Sequence, residues 1–259
     1  SRETMSDVAL QVSPLDVGMG FRVAGRGELH LSILIEKMRR EGYEFQVTRP
    51  QVIYKEAADG SRLEPFEELT IDVDEGYVGP VMEKLGQRKG RIQIMDTANG
   101  MARLVYQVPT RGLLGYRSEF LTDTKGLGVM NYVFYGYEPF AGEIRNRMNG
   151  AMVSMLECQS VAYALFNLQD RGRLFIGAGV NIYVGQIVGE HCREGDLVVN
   201  PGKGKKLTNM RASGSDENVV LTTPVQLSLE DCISYINDDE LVEITPANIR
   251  LRKRQLRKW

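Results

Sequence analysis

The residues in this chain best equipped for chemistry are cations. Lys203, Lys205, Lys206 and Arg211 follow one another with no acid anywhere in residues 197–215, on a backbone interrupted by Gly202 and Gly204 and beside Asn200, Thr208 and Asn209. Point charges next to short polar donors are the mixture used to contact phosphate and sugar. Residues 200–215 have no apolar periodicity, so they read as a long loop that projects rather than packs. The same composition also describes a solvated loop with no partner. A second acid-free run, residues 244–259, holds Arg250, Arg252, Lys253, Arg254, Arg257 and Lys258. Strand alternation there would put Arg250, Arg252 and Arg254 on one face, as a secondary phosphate contact or a solvated tail. Between the two runs lies an acidic block of Glu230, Asp231, Asp238, Asp239, Glu240 and Glu243. The last third of the chain therefore carries two local positive fields although the net charge is −2, and it is distribution that governs a polyanionic partner.

Other chemistries fail on spacing. His30 sits in a helical pattern, and His191 abuts Cys192 without a chelating interval. Gly204-Lys205 invites comparison with a phosphate loop, but Val199 and Lys206 occupy positions where that motif needs Gly and Ser or Thr. Gly25-Arg26-Gly27 and Gly177-Ala178-Gly179 lack the third glycine of a dinucleotide fingerprint. The carboxylate pairs Glu67/Glu68 and Asp238/Asp239 have no companion base or metal ligand and read as solvated faces. No catalytic residue, metal ligand or cofactor is expected in this stretch. Three widely spaced cysteines argue against a disulfide framework.

The elements that must position the cations fit an α+β chain. Its 259 residues suggest two domains or slightly more, and 42% hydrophobic residues can bury a core. No run of 18 uncharged apolar residues and no secretory pattern is present, so a cytoplasmic protein without a membrane segment is expected. Strands at 8–12 and 21–24, a helix at 28–41 and a strand at 43–47 make β-β-α-β. Leu31, Leu34, Ile35 and Met38 form that helix's apolar stripe. This is one β-α short of a ferredoxin-like unit and reads as a remnant, residues 1–50, of a longer chain. Residues 51–142 supply the complete βαββαβ order: strand 66–73, helix 77–88, a hairpin of 91–95 and 103–108 about Asn99-Gly100, helix 113–121 capped by Thr110, and strand 129–136. Residues 143–259 read as a strand-rich domain with one clear helix, 228–237, opened by Ser228. Within it, strands are expected at 151–156, 161–167, 183–189, 197–199, 240–244 and 248–252, with a helical turn at 168–174.

Two groups of motifs resemble known families. Gly25-Arg26-Gly27-Glu28-Leu29-His30-Leu31, Arg49-Pro50-Gln51-Val52-Ile53-Tyr54-Lys55-Glu56 and Gly76-Tyr77-Val78-Gly79 are similar to the junction of domains III and V, and to domain V, of translational GTPases of the elongation factor G class. Pro109-Thr110-Arg111-Gly112-Leu113-Leu114-Gly115-Tyr116-Arg117, Leu207-Thr208-Asn209-Met210-Arg211-Ala212-Ser213 and Asp238-Asp239-Glu240-Leu241-Val242-Glu243 resemble the BipA/TypA family of ribosome-associated GTPases. The resemblance covers essentially the whole chain. One departure is Gly202, where family members often carry Cys.

The resemblance implies a ribosome-facing, non-catalytic portion of a GTPase whose GTP and Mg sites lie in domains outside this chain. It further implies contact with large-subunit rRNA and A-site tRNA through Asn200, Lys203, Lys205, Lys206, Thr208, Asn209 and Arg211. Roles in large-subunit assembly, cold growth and stress come with it, and a monomer is expected. The competing expectation is a small-molecule regulatory domain, a common use of ferredoxin-like units.

Overall fold

The computed structural model describes residues 9–15, 20–144, 147–204 and 220–256. The chain divides into two compact units, one of residues 50–146 and one joining residues 1–49 to 147–259. It is a mixed α/β protein with several sheets.

At the start, β1 (Gln11–Pro14) and β2 (Phe21–Ala24) form their own antiparallel ribbon, with Val12 opposite Val23. Helix α1 (Glu28–Arg40) follows, with Glu28 in its first turn and Lys37, Arg39 and Arg40 in its last, both favourable to the helix dipole. Hydrogen bonds from Arg39 and then Arg40 hold the Glu36 carboxyl down to about 2. The helix stops at Gly42, whose φ of 92° suits glycine. Strand β3 (Phe45–Val47) then leaves this group to join a distant sheet.

In the second unit, β4 (Lys55–Glu56) pairs with the start of β5 (Arg62–Asp74). A single 3-10 turn leads into α2 (Val78–Gln87), and Asp74 Oδ1 accepts the Gly76 N–H at 2.9 Å there. Strands β6 (Arg91–Ala98) and β7 (Met101–Pro109) form the hairpin expected at Asn99-Gly100, both residues having positive φ. Next come α3 (Thr110–Leu113), α4 (Tyr116–Asp123) and β8 (Val129–Pro139). The antiparallel sheet runs β8-β5-β7-β6. Period-2 alternation turns Leu69, Ile71, Val73, Leu104, Tyr106 and Val108 to one face, against Val81 and Leu85 of α2 and Tyr116 and Phe120 of α4.

Two local expectations change in this unit. The helix read at 113–121 is two helices, because Gly115 adopts φ 72° and breaks the run. Thr110 is no cap: its hydroxyl donates to Glu67 Oε1 at 3.0 Å. Glu67 is accordingly buried rather than solvated, and burial pushes its carboxyl up. Glu64, fully buried, is held by Arg111 Nε at 2.5 Å.

The last stretch adds β9 (Ala151–Ser154), β10 (Cys158–Gln159), α5 (Ala162–Gln169), β11 (Gly172–Leu174), β12 (Asn181–Ile182), β13 (Gln186–His191) and β14 (Leu197–Val199). It closes with α6 (Leu229–Tyr235), β15 (Glu240–Ile244) and β16 (Ile249–Lys253). The sheet order is β14-β9-β13-β16-β15-β3, with β11 also on β13 and only the β14/β9 pair parallel. Thus β3 is edged onto β15, Ile244 opposite Phe45, and the first segment shares the core of Ile187, Val242, Ile233 and Leu251. Helix α6 opens with a capping box, Ser228 and Asp231 each bonding the other's backbone N–H.

Where a strand is expected at 161–167, Ala162–Gln169 is helical and only Val161 is extended, so two helices rather than one lie in 147–256 among the described residues. Ala164 and Leu165 point inward and Tyr163, Phe166 and Asn167 outward, which is helical and not strand alternation. The β-propensity of Val161, Tyr163 and Phe166 misleads, while Ala and Leu favour the helix that tertiary packing selects.

A buried ion cluster knits this sheet. Fully buried Glu240 of β15 takes Arg147 at 2.8 Å and Lys253 Nζ at 2.9 Å. Lys253, on β16, also reaches Asp196 at 2.5 Å and Asp239 at 2.9 Å. Burial pulls the Lys253 ammonium down, but these carboxylates outweigh it and hold it above its ordinary value. Burial likewise pushes Asp196 up, yet the Ala151 N–H and Lys253 keep it below the usual carboxylate range. Removing one partner of a buried pair costs about 3 kcal/mol. Lys253→Met and Arg147→Met are each expected to lower unfolding free energy by about that amount in urea titrations. Their combination should cost more than the sum, since it strands Glu240. Because the Asp196 carboxyl is depressed in the fold, its contribution is complete above about pH 4 and disappears as pH falls through the folded value. Asp196→Asn should flatten stability against pH in that acid window.

Candidate nucleic-acid interface

The acid-free loop has a fixed root. Strand β14 delivers the chain to Asn200, and the Met155 N–H donates to Val199 O at 3.0 Å. Asn200 Oδ1 accepts the Gly202 N–H at 3.1 Å, an Asx turn that reverses the backbone. The Val161 N–H donates to Pro201 O at 3.0 Å, tying this turn to the start of α5. Gly202 lies against β10 so closely that a Cβ would stand 2.7 Å from Cys158 Cβ and 2.8 Å from its Sγ. Beyond it, the Lys203 side chain is exposed.

The returning chain is pinned as firmly. Gln169, at the end of α5, donates through Nε2 to Val220 O at 3.3 Å and accepts the Thr222 N–H at 3.0 Å. The Val225 N–H donates to Leu174 O at 2.8 Å. The two ends of the loop therefore attach to the two ends of the same short helix.

Of the seven residues singled out for phosphate and sugar contact, Asn200 and Lys203 lie in this root. Asn200 is half-buried and shapes the turn, while Lys203 is presented outward. Lys205, Lys206, Thr208, Asn209 and Arg211 lie outside the described residues.

The secondary basic run is arranged differently. Arg250 and Arg252 share a face of β16, but both are directed to one carboxylate, Glu243, at 3.8 and 3.9 Å. Arg252 also donates to Gln46 Oε1 of β3 at 2.7 Å and keeps only 13% of its side chain exposed. Tyr183 donates its hydroxyl to the same Glu243 at 2.7 Å, and burial, reinforced by that carboxylate, raises its phenol. Arg254, past the strand end, is exposed. The field at Arg250 and Arg252 is thus partly neutralised within the sheet, and Arg254 presents the more open charge.

The sequence reading missed Lys253 and Arg147 as buried cations. The signal was available for Lys253, because alternation in β16 sets it on the face of buried Leu251. Nothing local marks Arg147. Among the described residues, no three His, Cys, Asp or Glu converge as a metal site. Burial raises the Cys158 thiol, and pushes that of Cys232 up to about 12, so both are protonated near neutrality. Among the described residues no helix is long and apolar enough to cross a membrane.

The two parts of the chain each have known relatives. Residues 61–148 match the family described as elongation factor G C-terminus, so the first domain is of the translation-factor class. Residues 149–258 match the TypA/BipA C-terminal domain. Residues 149–258 thus belong to the TypA/BipA C-terminal domain family, and they follow a domain of the elongation factor G type. It is 52% identical over 258 residues to proteins called large ribosomal subunit assembly factor BipA from Salmonella typhimurium and Haemophilus influenzae, and 50% identical to that of Buchnera aphidicola. Each alignment covers 99% of this chain and 42% of the relative.

The contact of Gly202 with Cys158 yields a direct test of the loop root. Forcing a methyl into a filled site costs about 1–3 kcal/mol. Gly202→Ala is therefore expected to lower the thermal midpoint of unfolding, whereas Gly204→Ala, where a Cβ meets nothing within 4 Å, should leave it unchanged.

Proposed function

We propose that this chain is the ribosome-docking portion of a translational GTPase, binding large-subunit rRNA and A-site tRNA through the basic loop and performing no catalysis itself. The single observation that carries this is the loop root. Residues 197–215, which bear Lys203, Lys205, Lys206 and Arg211 and no acid, begin at a base fixed by hydrogen bonds at Asn200 and Pro201, and the chain, after Asp216 and Glu217, is fixed again at Val220. A base held rigidly places its cations at low entropic cost to binding.

The family supplies the rest of the proposal. The relatives are called large ribosomal subunit assembly factors, and a role in that assembly, with growth in the cold or under stress, is extended here to this chain. GTP and Mg would be held by parts of the protein beyond the span compared. We place it in the cytoplasm as a monomer. The strand order β8-β5-β7-β6 supports taking residues 51–142 as a ferredoxin-like domain V, whereas β1 and β2 pair apart from β3, which joins β15.

Phosphate contacts displace counterions, so affinity falls with salt. Four such contacts give a slope of about −3 to −4 in log K against log salt. Co-sedimentation of the chain with isolated large subunits at several ionic strengths should return that slope. Replacing Lys203, Lys205, Lys206 and Arg211 together by Ala should flatten it towards zero and weaken binding. An unaltered slope and affinity in the fourfold variant would reject the loop as the contact.

A further inference from the structure

Residues 50–146 are an insertion. The chain leaves the other unit after β3 and returns to it ahead of β9, yet in that unit's sheet these two strands are separated by β13, β16 and β15. The host sheet therefore does not bring the two ends of the insertion together, although a domain is most readily inserted where its own ends lie close. Within residues 50–146 the ends are fastened to each other. Tyr54, on the entering segment, meets Phe140, on the leaving one, edge to face with ring centroids 6.2 Å apart. The Arg62 guanidinium lies 3.5 Å from the centre of the Tyr54 ring and 4.7 Å from that of Phe140, bridging the two. A second link runs beside the first. Tyr137 donates its hydroxyl to Ile53 O at 3.3 Å and carries the Lys55 ammonium 4.0 Å over its ring. The leaving segment is also pinned to the sheet. The Phe140 N–H donates to Arg62 O at 3.1 Å, the Ala141 N–H to buried Glu64 at 2.7 Å, and Arg111 to Gly142 O.

We propose that Tyr54, Arg62 and Phe140 form a clasp that draws the entering and leaving segments of the insertion into a single hinge, so that residues 50–146 swing as one body. Two attachments held apart resist rotation of the part between them. Attachments gathered at one place leave it free to turn, and domain motions use joints of a few such residues. The clasp is separable from the fold that carries it. Glu64 is buried and belongs to the sheet, whereas the Arg62 side chain is exposed and holds the two rings by stacking alone, a contact that is weak at a surface. The clasp lies wholly within residues 50–146 and is independent of the basic loop and its partner.

Two measurements on the full 259-residue chain test it. Spin labels on unnatural keto amino acids at positions 51 and 143, both exposed in the native chain, report the separation of the two segments by dipolar electron resonance. One short, narrow distance is expected in the native protein. Tyr54→Ala/Phe140→Ala should shift it to longer separations and broaden it, and Tyr54→Phe, which keeps the ring, should not. Arg62→Gln should broaden it while the thermal midpoint stays unchanged. If Arg62→Gln and a folded Tyr54→Ala/Phe140→Ala chain both keep the native distribution, the clasp is refuted; if the double variant does not fold, Arg62→Gln alone decides. Residual dipolar couplings test the hinge itself. Alignment of different magnitude in residues 50–146 and in the other unit is expected, and one shared alignment would overturn the swinging motion.

Discussion

One carboxylate in a dry place organises the C-terminal unit. Glu240 has no exposed side-chain surface, and such a charge is tolerable only when neutralised and fully hydrogen-bonded. Arg147 supplies one cation from the segment entering the unit, and Lys253 supplies the other from the last strand. Asp196 and Asp239 complete the shell around Lys253, and Asp196 in turn accepts the Ala151 N–H at the head of β9. Four separate stretches of chain thus converge on one node. Such a cluster adds little net stability compared with a well-packed apolar core, but it penalises every register that would break it. A slip by one residue of β16 against β15 would bury Arg252 and expel Lys253. The cluster therefore fixes where β9, and hence β14 and the loop root beside it, must lie.

The loop depends on that registration. Strand β14 is only three residues long and lies at the sheet edge, parallel to β9. Parallel edge pairs are weak, so its position is set by what surrounds it: the Met155 and Val161 bonds, the Asx turn at Asn200, and Gly202 closed against Cys158. The unit of residues 50–146 resolves a similar demand with different parts. There Glu64, also without exposure, is held by Arg111, which additionally donates to Gly142 O and stacks its guanidinium over Phe140. In each unit a buried carboxylate is answered by an arginine from far along the chain.

Much of this was legible in the sequence. Amphipathic spacing in α1, the Asn99-Gly100 turn, the Ser228 start of α6 and the element order of residues 51–142 depend on local chemistry, which neighbouring residues disclose. The charge segregation of residues 197–215 is visible without a fold, since it is a property of the sequence itself. The errors have a common cause in tertiary context. Residues 161–167 look like a strand because Val161, Tyr163 and Phe166 favour one, and only the pocket awaiting Leu165 selects the helix. Arg250 and Arg252 look like free cations because Glu243, Gln46 and Tyr183 approach from other strands. The pairing of β3 with β15 joins residues nearly two hundred apart, a separation at which no local pattern speaks. The fate of Lys253 lay between the two, visible in alternation but hidden among five other basic residues.

The central claim is that the loop root faces RNA. The most direct measurement is photocrosslinking from position 203 in the 259-residue chain, using a Lys203→Cys variant carrying a short benzophenone label, bound to isolated large subunits. The account predicts adducts on ribosomal RNA that are absent when the same label is placed at Arg103, on the exposed sheet face of the other unit. Adducts at position 203 confined to ribosomal proteins, or RNA adducts arising from Arg103 and not from position 203, would contradict it.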